Sequence, residues 1–371
     1  MTNIEKKRRL LAILDEITLS SDDIENSYQH YSNLKRNYEL EFENKTKLNE
    51  LDIKILFLGV FLQIARQFFI SNNSFRFKSA TDGDKIPDTI AKKISSNLGH
   101  ERYIKILTGS VPYDAVNYLD KENFSSMYGS HGISGTNHRY TTLGHDPILG
   151  WIFGTMNIMT ETLTKNNLLL ESYTVKNNKI DAPISIVNIF ENTFKEIEQD
   201  YLILGVSIVK QALHFSSDCF TKMGLPIPMI NTFSPKLTKE LLSNKYNIDF
   251  YSVSRGILFS NIINYIIGVI HQLYCNDSIN QKLYDVKTKK VILYSNMIAS
   301  TSNVIYTAIT KDFRKLDVGG FIVTLFNLYK SQKFIREIKE EYVNGKLDGY
   351  YENEIKKLDM ELDTLLYKIL K

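Results

Sequence analysis

The sequence predicts a mainly α fold: a large multi-helix protein with a long Gly/His-rich loop and little or no β structure. Three observations predict it. Only 7 prolines interrupt 371 residues, so helices can run unbroken. Apolar residues recur at helical spacing through most of the chain. Short β-branched runs do not alternate with helices, which excludes a βαβ sheet. Hydrophobic residues at 43% and charged residues at 23% place the chain with ordered globular proteins.

The elements follow in order. Over residues 4–19, Leu10, Leu11, Leu14 and Ile17 form one helical stripe. The basic start Lys6-Lys7-Arg8-Arg9 soon meets Asp15 and Glu16, so it reads as the helix of a cytoplasmic protein and not as a signal peptide. Ser21, Asp22 and Asp23 offer acceptors for the start of a second, partly exposed helix reaching residue 51. Residues 53–70 are the most apolar stretch, interrupted by Lys54, Gln63, Arg66 and Gln67. A buried central helix is expected there, and integral membrane insertion is not.

Residues 71–88 read as loop, and Asp82-Gly83-Asp84 as a turn lacking the remaining ligands of a calcium site. Helical pieces follow at 86–98 and 101–107, and Pro112 starts another. Asp146 and Pro147 suit the cap and first position of a helix over 147–163, where Gly150 and Gly154 permit close approach of another backbone. Residues 168–175 are the one convincing strand candidate, and Pro183 opens a long helical stretch ended by Gly224-Leu225-Pro226-Ile227-Pro228. Residues 235–242 and 254–274 are helical. Residues 282–310 are ambiguous, since 291–294 suits a strand and the remainder a helix. Two amphipathic helices, 321–343 and 352–370, follow the break at Asp317-Val318-Gly319-Gly320. The expected division is a helical arm at 1–51, a helical core at 52–275 and a C-terminal helical region at 276–371.

The working site is expected in residues 123–160. This stretch holds Gly129, Gly132, Gly135, Gly144, Gly150 and Gly154, six of the chain's 18 glycines, and three of its 7 histidines. His131, His138 and His145 are neutral imidazoles of the kind that bind zinc or manganese, and Asp146 adds a carboxylate. The adjacent pair His145-Asp146 resembles part of the metal site of the HD phosphohydrolases. Their pattern also needs a separate upstream histidine, for which His131 or His138 stands, and a distant aspartate, for which Asp218 stands. The structural alternative is that Asp146 caps a helix while His145 bonds loop backbone.

His214 and Asp218 lie four apart on one helix face, as a base and its orienting carboxylate would. Gly129, Gly132 and Gly135 suit a nest of backbone amides for phosphate, with Arg139 and Lys222 supplying positive charge. Packing of that loop against helices is the plainer alternative. The formal charge of +3 is too small to argue for nucleic acid, and Cys219 and Cys275 form neither a CxxC pair nor a disulfide framework.

Three functions fit. One is metal-assisted phosphoester hydrolysis at a pocket joining His131, His138, His145, Asp146, His214 and Asp218, acting on a phosphorylated small molecule or nucleic acid. A second is a helical interaction or scaffold protein, with a protein partner or a second copy. A third is action at a membrane surface, which requires residues 53–70 or 257–273 to present an exposed apolar patch.

Overall fold

The computed structural model describes residues 25–69, 76, 80–114, 131–133, 135, 137–221, 224–275 and 280–370. The architecture is mainly α, as expected. Its helices are α1 (residues 25–45), α2 (Glu50–Phe69), α3 (Ala80–Ser95), α4 (Glu101–Thr108), α5 (His138–Thr141), α6 (Gly150–Thr160), α7 (Ile186–Gln199), α8 (Leu202–Phe220), α9 (Ile230–Phe233), α10 (Pro235–Leu242), α11 (Phe250–Gln272), α12 (Gln281–Thr310) and α13 (Val318–Leu370). The expected helix at 4–19 and the Ser21-Asp22-Asp23 start lie outside the described residues.

The chain forms two compact units. One comprises Met1–Leu62, Ile263–Ile298 and Thr324–Lys371; the other comprises Gln63–Ile262 and Ala299–Val323. In the first unit, Phe42 of α1 is fully buried against Leu283 and Val286 of α12, with Phe334, Ile335 and Ile338 of α13 beside them. Gly59 brings α2 against α12, where an added Cβ would lie 3.0 Å from Ser295 Cβ. The buried ring of His271 sits between Thr288 Oγ1 (2.8 Å) and Asp52 Oδ1 (3.1 Å).

In the second unit α8 is central and packs against α3, α4, α6 and α7. A small antiparallel sheet lies in the order β1 (Thr162–Thr164), β2 (Ser172–Lys176), β3 (Lys179–Ile184). Leu163 and Val175 of the sheet, with Val111, Tyr113, Ile133 and Ile158, make its hydrophobic core.

Several boundaries differ from expectation for local physical reasons. Asn177 and Asn178 both take positive φ, 51° and 59°, and close a tight hairpin, so residues 179–184 form a third strand. Pro183 therefore lies in an edge strand, where its missing N–H costs no ladder bond, and Ser185 caps α7 instead, accepting from Asn188 N at 3.1 Å. Asp82-Gly83-Asp84 lies inside α3 and makes no turn. Residues 291–294 are helical: Val291, Ser295 and Ala299 are buried four apart along α12, a helix period. One continuous 53-residue helix, running through Gly345 and Gly349, replaces the two expected at the C-terminus.

Candidate metal centre

Four local structures in the second unit bring the site together. A single turn, Pro112–Asp114, carries Asp114; α5 carries His138 and Arg139; the turn Leu143–His145 carries His145; and α8 carries His214 and Asp218. The turns are held by close packing. Gly144 lies flat on the Tyr113 ring, where an added Cβ would come within 2.5 Å of ring carbons. Tyr113 Oη donates to Gln211 Oε1 (2.5 Å), and Gln211 Nε2 donates back to the Gly144 carbonyl (2.9 Å). Gly154 makes room for that amide, since a Cβ there would lie 2.5 Å from Gln211 Oε1. At Gly150 an added Cβ would lie 2.6 Å from the Gly144 carbonyl oxygen. The two glycines of α6 therefore admit a backbone carbonyl and a side-chain amide.

The ligating atoms of Asp114, His145 and His214 lie within 4.8 Å of one another. His145 Nε2 is 2.9 Å from Asp114 Oδ1, 3.1 Å from His214 Nε2 and 3.4 Å from Asp218 Oδ2. His214 Nε2 is 3.2 Å from Asp218 Oδ2 and 3.8 Å from Asp114 Oδ2, and His138 Nε2 is 3.7 Å from Asp114 Oδ1.

Proton positions follow from the outer partners. Thr142 has one hydroxyl proton, donated to the His138 carbonyl (2.8 Å), so its oxygen accepts from His145 Nδ1–H (2.7 Å). In the neutral ring that leaves His145 Nε2 as a lone pair. His138 Nδ1 faces the Gly135 carbonyl (3.1 Å), which only accepts, so His138 Nε2 is a lone pair as well. Lone pairs and carboxylate oxygens thus face each other, and buried Asp114 Oδ1 and Asp218 Oδ2 find no hydrogen-bond donor. One proton on His214 Nε2 satisfies one of these acceptors; a cation between them satisfies all.

The charge states suit such an ion. Burial pushes the His138 imidazole down to about 4, helped by His145 and opposed by Asp114. Burial also lowers His214, against Asp218 and Asp114. For Asp114, burial raises the carboxyl, but His214, His145 and His138 outweigh it and hold it below the usual carboxylate range. These shifts hold His138 and His214 neutral and Asp114 ionised near pH 7, the protonation a divalent metal requires of its ligands.

Compared with protein-family models, curated proteins and solved structures, the chain matches none of them.

Of the residues expected in the site, the structure brings together His138, His145, His214 and Asp218, with Arg139 behind them. Arg139 Nη2 holds Asp218 Oδ1 at 2.9 Å and its Nη1 donates to Thr221 Oγ1 at 2.6 Å, so it positions a carboxylate. Asp146 is placed elsewhere. Its Oδ1 accepts from Ile148 N (3.0 Å) and Leu149 N (2.9 Å), and its Oδ2 from Met229 N (2.6 Å). Asp146 thus holds the turn that leads into α6, whose cap residue is Leu149, while His145 bonds the Thr142 side chain and not loop backbone, so only the local-acceptor half of the structural alternative is met. The placement departs from the HD resemblance, in which the aspartate of the pair faces the metal. His131 lies edge-on to Tyr173, with ring centroids 4.6 Å apart, and is not in the cluster. Gly132 and Gly135 present carbonyl oxygens, to Asn137 Nδ2 (2.9 Å) and to His138 Nδ1. Gly129 and Lys222 lie outside the described residues.

Asp114 was given no role by sequence. Its one signal is position, directly after Pro112 and Tyr113 in a tight turn; no spacing ties it to residues 145 or 214. Thr142, which orients His145, is equally silent.

Proposed function

We propose that the chain is a metal-assisted hydrolase with phosphoesters as its substrate class. The observation that supports this reading is the convergence of Asp114, His145, His214 and Asp218 acceptor atoms with two buried carboxylate oxygens that meet no donor. Imidazole and carboxylate together suit zinc or manganese. Asp114, His145 and His214 would hold the ion, and His138 and Asp218 stand next to it. A bound divalent ion supplies Lewis acidity toward a phosphoryl oxygen and lowers the pKa of water. Arg139 keeps Asp218 aimed, and Thr142 keeps the His145 lone pair aimed, so the site needs little reorganisation to receive an ion.

The test is elemental mass spectrometry on protein purified without a metal-binding tag, followed by hydrolysis of bis(p-nitrophenyl) phosphate. Near-stoichiometric metal is expected, lost in both His145→Ala and His214→Ala. Absence of metal even after reconstitution with zinc and manganese sinks the reading.

A second reading, contact with a lipid surface, is favoured by a different observation. Among the described residues one helix, Phe250–Gln272, is long and apolar enough to cross a membrane, and only 33% of its most apolar window is buried. Leu258, Ile262, Tyr265, Ile266, Val269 and Leu273 face outward along it, while Ser260, Asn264 and His271 face inward. In α2, likewise, Ile53, Phe57 and Phe61 face outward and Gln63 is buried. Both helices thus carry exposed apolar side chains in addition to buried ones such as Ile267, Ile55 and Val60, on a face where a water-facing helix carries polar residues. Flotation with phosphatidylcholine vesicles tests it. The wild type is expected to float, and Ile262→Glu/Ile266→Glu to partition at least ~10-fold less. Failure of the wild type to float removes this reading.

A further inference from the structure

In the second unit the loop between β1 and β2 ends in an apolar tip. Leu168 and Leu169 stand side by side there, 74% and 80% exposed. Phe233, the last residue of α9, is 72% exposed, and Met229 and Leu237 on either side of it in the chain are 40% and 44% exposed. Single exposed apolar residues are ordinary, but a group of them marks a docking surface. From this group and the charges beside it we infer that the tip docks on a membrane surface containing anionic lipid.

Hydrogen bonds hold the tip in place. Leu170 N donates to the Asn167 carbonyl (3.1 Å), and Ser172 Oγ donates to the Leu170 carbonyl (2.8 Å). Leu170 takes φ 50° in this turn, a conformation a bulky residue keeps only where its surroundings impose it. Buried Asn166 ties the root of the tip to α9: its carbonyl accepts from Asn231 Nδ2 (2.9 Å) and its Oδ1 from Thr232 Oγ1 (2.5 Å). Met229 also takes positive φ, 62°, with its amide held by Asp146 Oδ2. The leucines of the tip and the end of α9 therefore share one hydrogen-bonded support. Asn166 N donates in turn to the Thr141 carbonyl of α5 (2.7 Å), the helix that carries His138.

Charge and area choose the occupant. Lys236 and Lys239 are exposed on α10, directly after Phe233, and neither forms an ion pair among the described residues. They outnumber the one acidic residue of that helix, Glu240. In the tip Lys165 pairs with Glu171 at 2.5 Å, so those two charges cancel. Apolar side chains with a basic rim match an anionic bilayer: the apolar groups enter the acyl boundary while lysines meet the headgroups. A protein partner is a poorer match. At 40% to 80% exposure, five side chains of roughly 200 Å² each fall short of the ~800 Å² that each side of a standard protein interface contributes. This surface is not the outward face of α11 or α2 and it requires charged lipid, so it goes beyond that reading and stands apart from it.

Flotation of the full chain with phosphatidylcholine vesicles, with and without phosphatidylserine, tests the inference. The wild type is expected to bind the mixed vesicles at least ~10-fold more tightly, the effect of two lysines near a charged surface. Lys236→Gln/Lys239→Gln should bind both kinds of vesicle alike. Leu168→Ser/Leu169→Ser should bind the mixed vesicles at least ~10-fold less, because two apolar side chains no longer enter the lipid. All four positions are exposed, and circular dichroism confirms the fold of each variant. Ile262→Glu/Ile266→Glu should keep the preference for phosphatidylserine whether or not α11 touches lipid. The inference is overturned by a wild type with no preference, by a preference that survives Lys236→Gln/Lys239→Gln, or by one lost in Ile262→Glu/Ile266→Glu. Undiminished binding by Leu168→Ser/Leu169→Ser overturns it too. So does a dimer in sedimentation that this variant dissolves, since the tip would then dock on a second copy.

Discussion

Asp114→Asn is expected to weaken metal binding by more than the ~10–100-fold typical of outer-sphere changes, and to remove phosphoester hydrolysis with it. The substitution keeps the shape of the side chain and leaves Tyr113 packed on Gly144. What it removes is the negative charge that faces His145 at 2.9 Å and His214 at 3.8 Å. The same change has a second expected effect, of opposite sign. Asp114 Oδ1 and Asp218 Oδ2 are both buried and His214 Nε2 has one proton to offer, so the metal-free protein keeps at least one unsatisfied acceptor. Asparagine relieves that conflict. Without metal the variant should melt at or above the wild-type temperature; with zinc or manganese the wild type should gain stability and the variant should not. Two melting curves with and without metal, read beside elemental analysis, check both effects. Equal metal content in the two proteins would remove Asp114 from the site.

Arg76→Met is expected to destabilise the second unit by about 3–5 kcal/mol, the usual cost of breaking a buried ion pair from one side. The Arg76 and Asp249 side chains are only 3% and 2% exposed, so Asp249 would be left charged in the interior. Arg76 also donates to the Thr221 carbonyl at 3.1 Å, and Thr221 Oγ1 receives Arg139, which holds Asp218. Loss of Arg76 should therefore loosen the metal centre as well as the fold. The double variant Arg76→Met/Asp249→Leu should recover much of the stability, because no unpaired charge remains. Denaturant titrations of the single and double variants measure both. A double variant as unstable as the single one would show that the cost lies in packing.

How far the sequence could be read depended on whether a feature was local. The helices were legible, since period and scarcity of proline are local properties. His214 and Asp218 were legible as a pair because spacing by four on one helix fixes their common face. The pair His145-Asp146 was legible as chemistry but not as geometry. In a turn, adjacent side chains diverge: His145 enters the cluster and Asp146 turns to the Met229 amide. Asp114 was illegible because Tyr113 packing on Gly144 places it, and nothing in the intervening sequence encodes that contact. The hairpin was missed for a smaller reason. Asn177-Asn178 is a turn signal, but Pro183 reads equally well as a helix start.

The bond between Tyr113 and Gln211 joins residues 98 apart in the chain. Asp114 lies beside one end of that span and His214 beside the other, so no fragment short of the closed span holds the complete cluster. Closing so long a span is slow compared with winding its helices. Under the proposed reading, ion capture would belong among the last events of folding, and a retained ion would certify a finished chain: an arrested intermediate, however helical, would leave the column empty-handed.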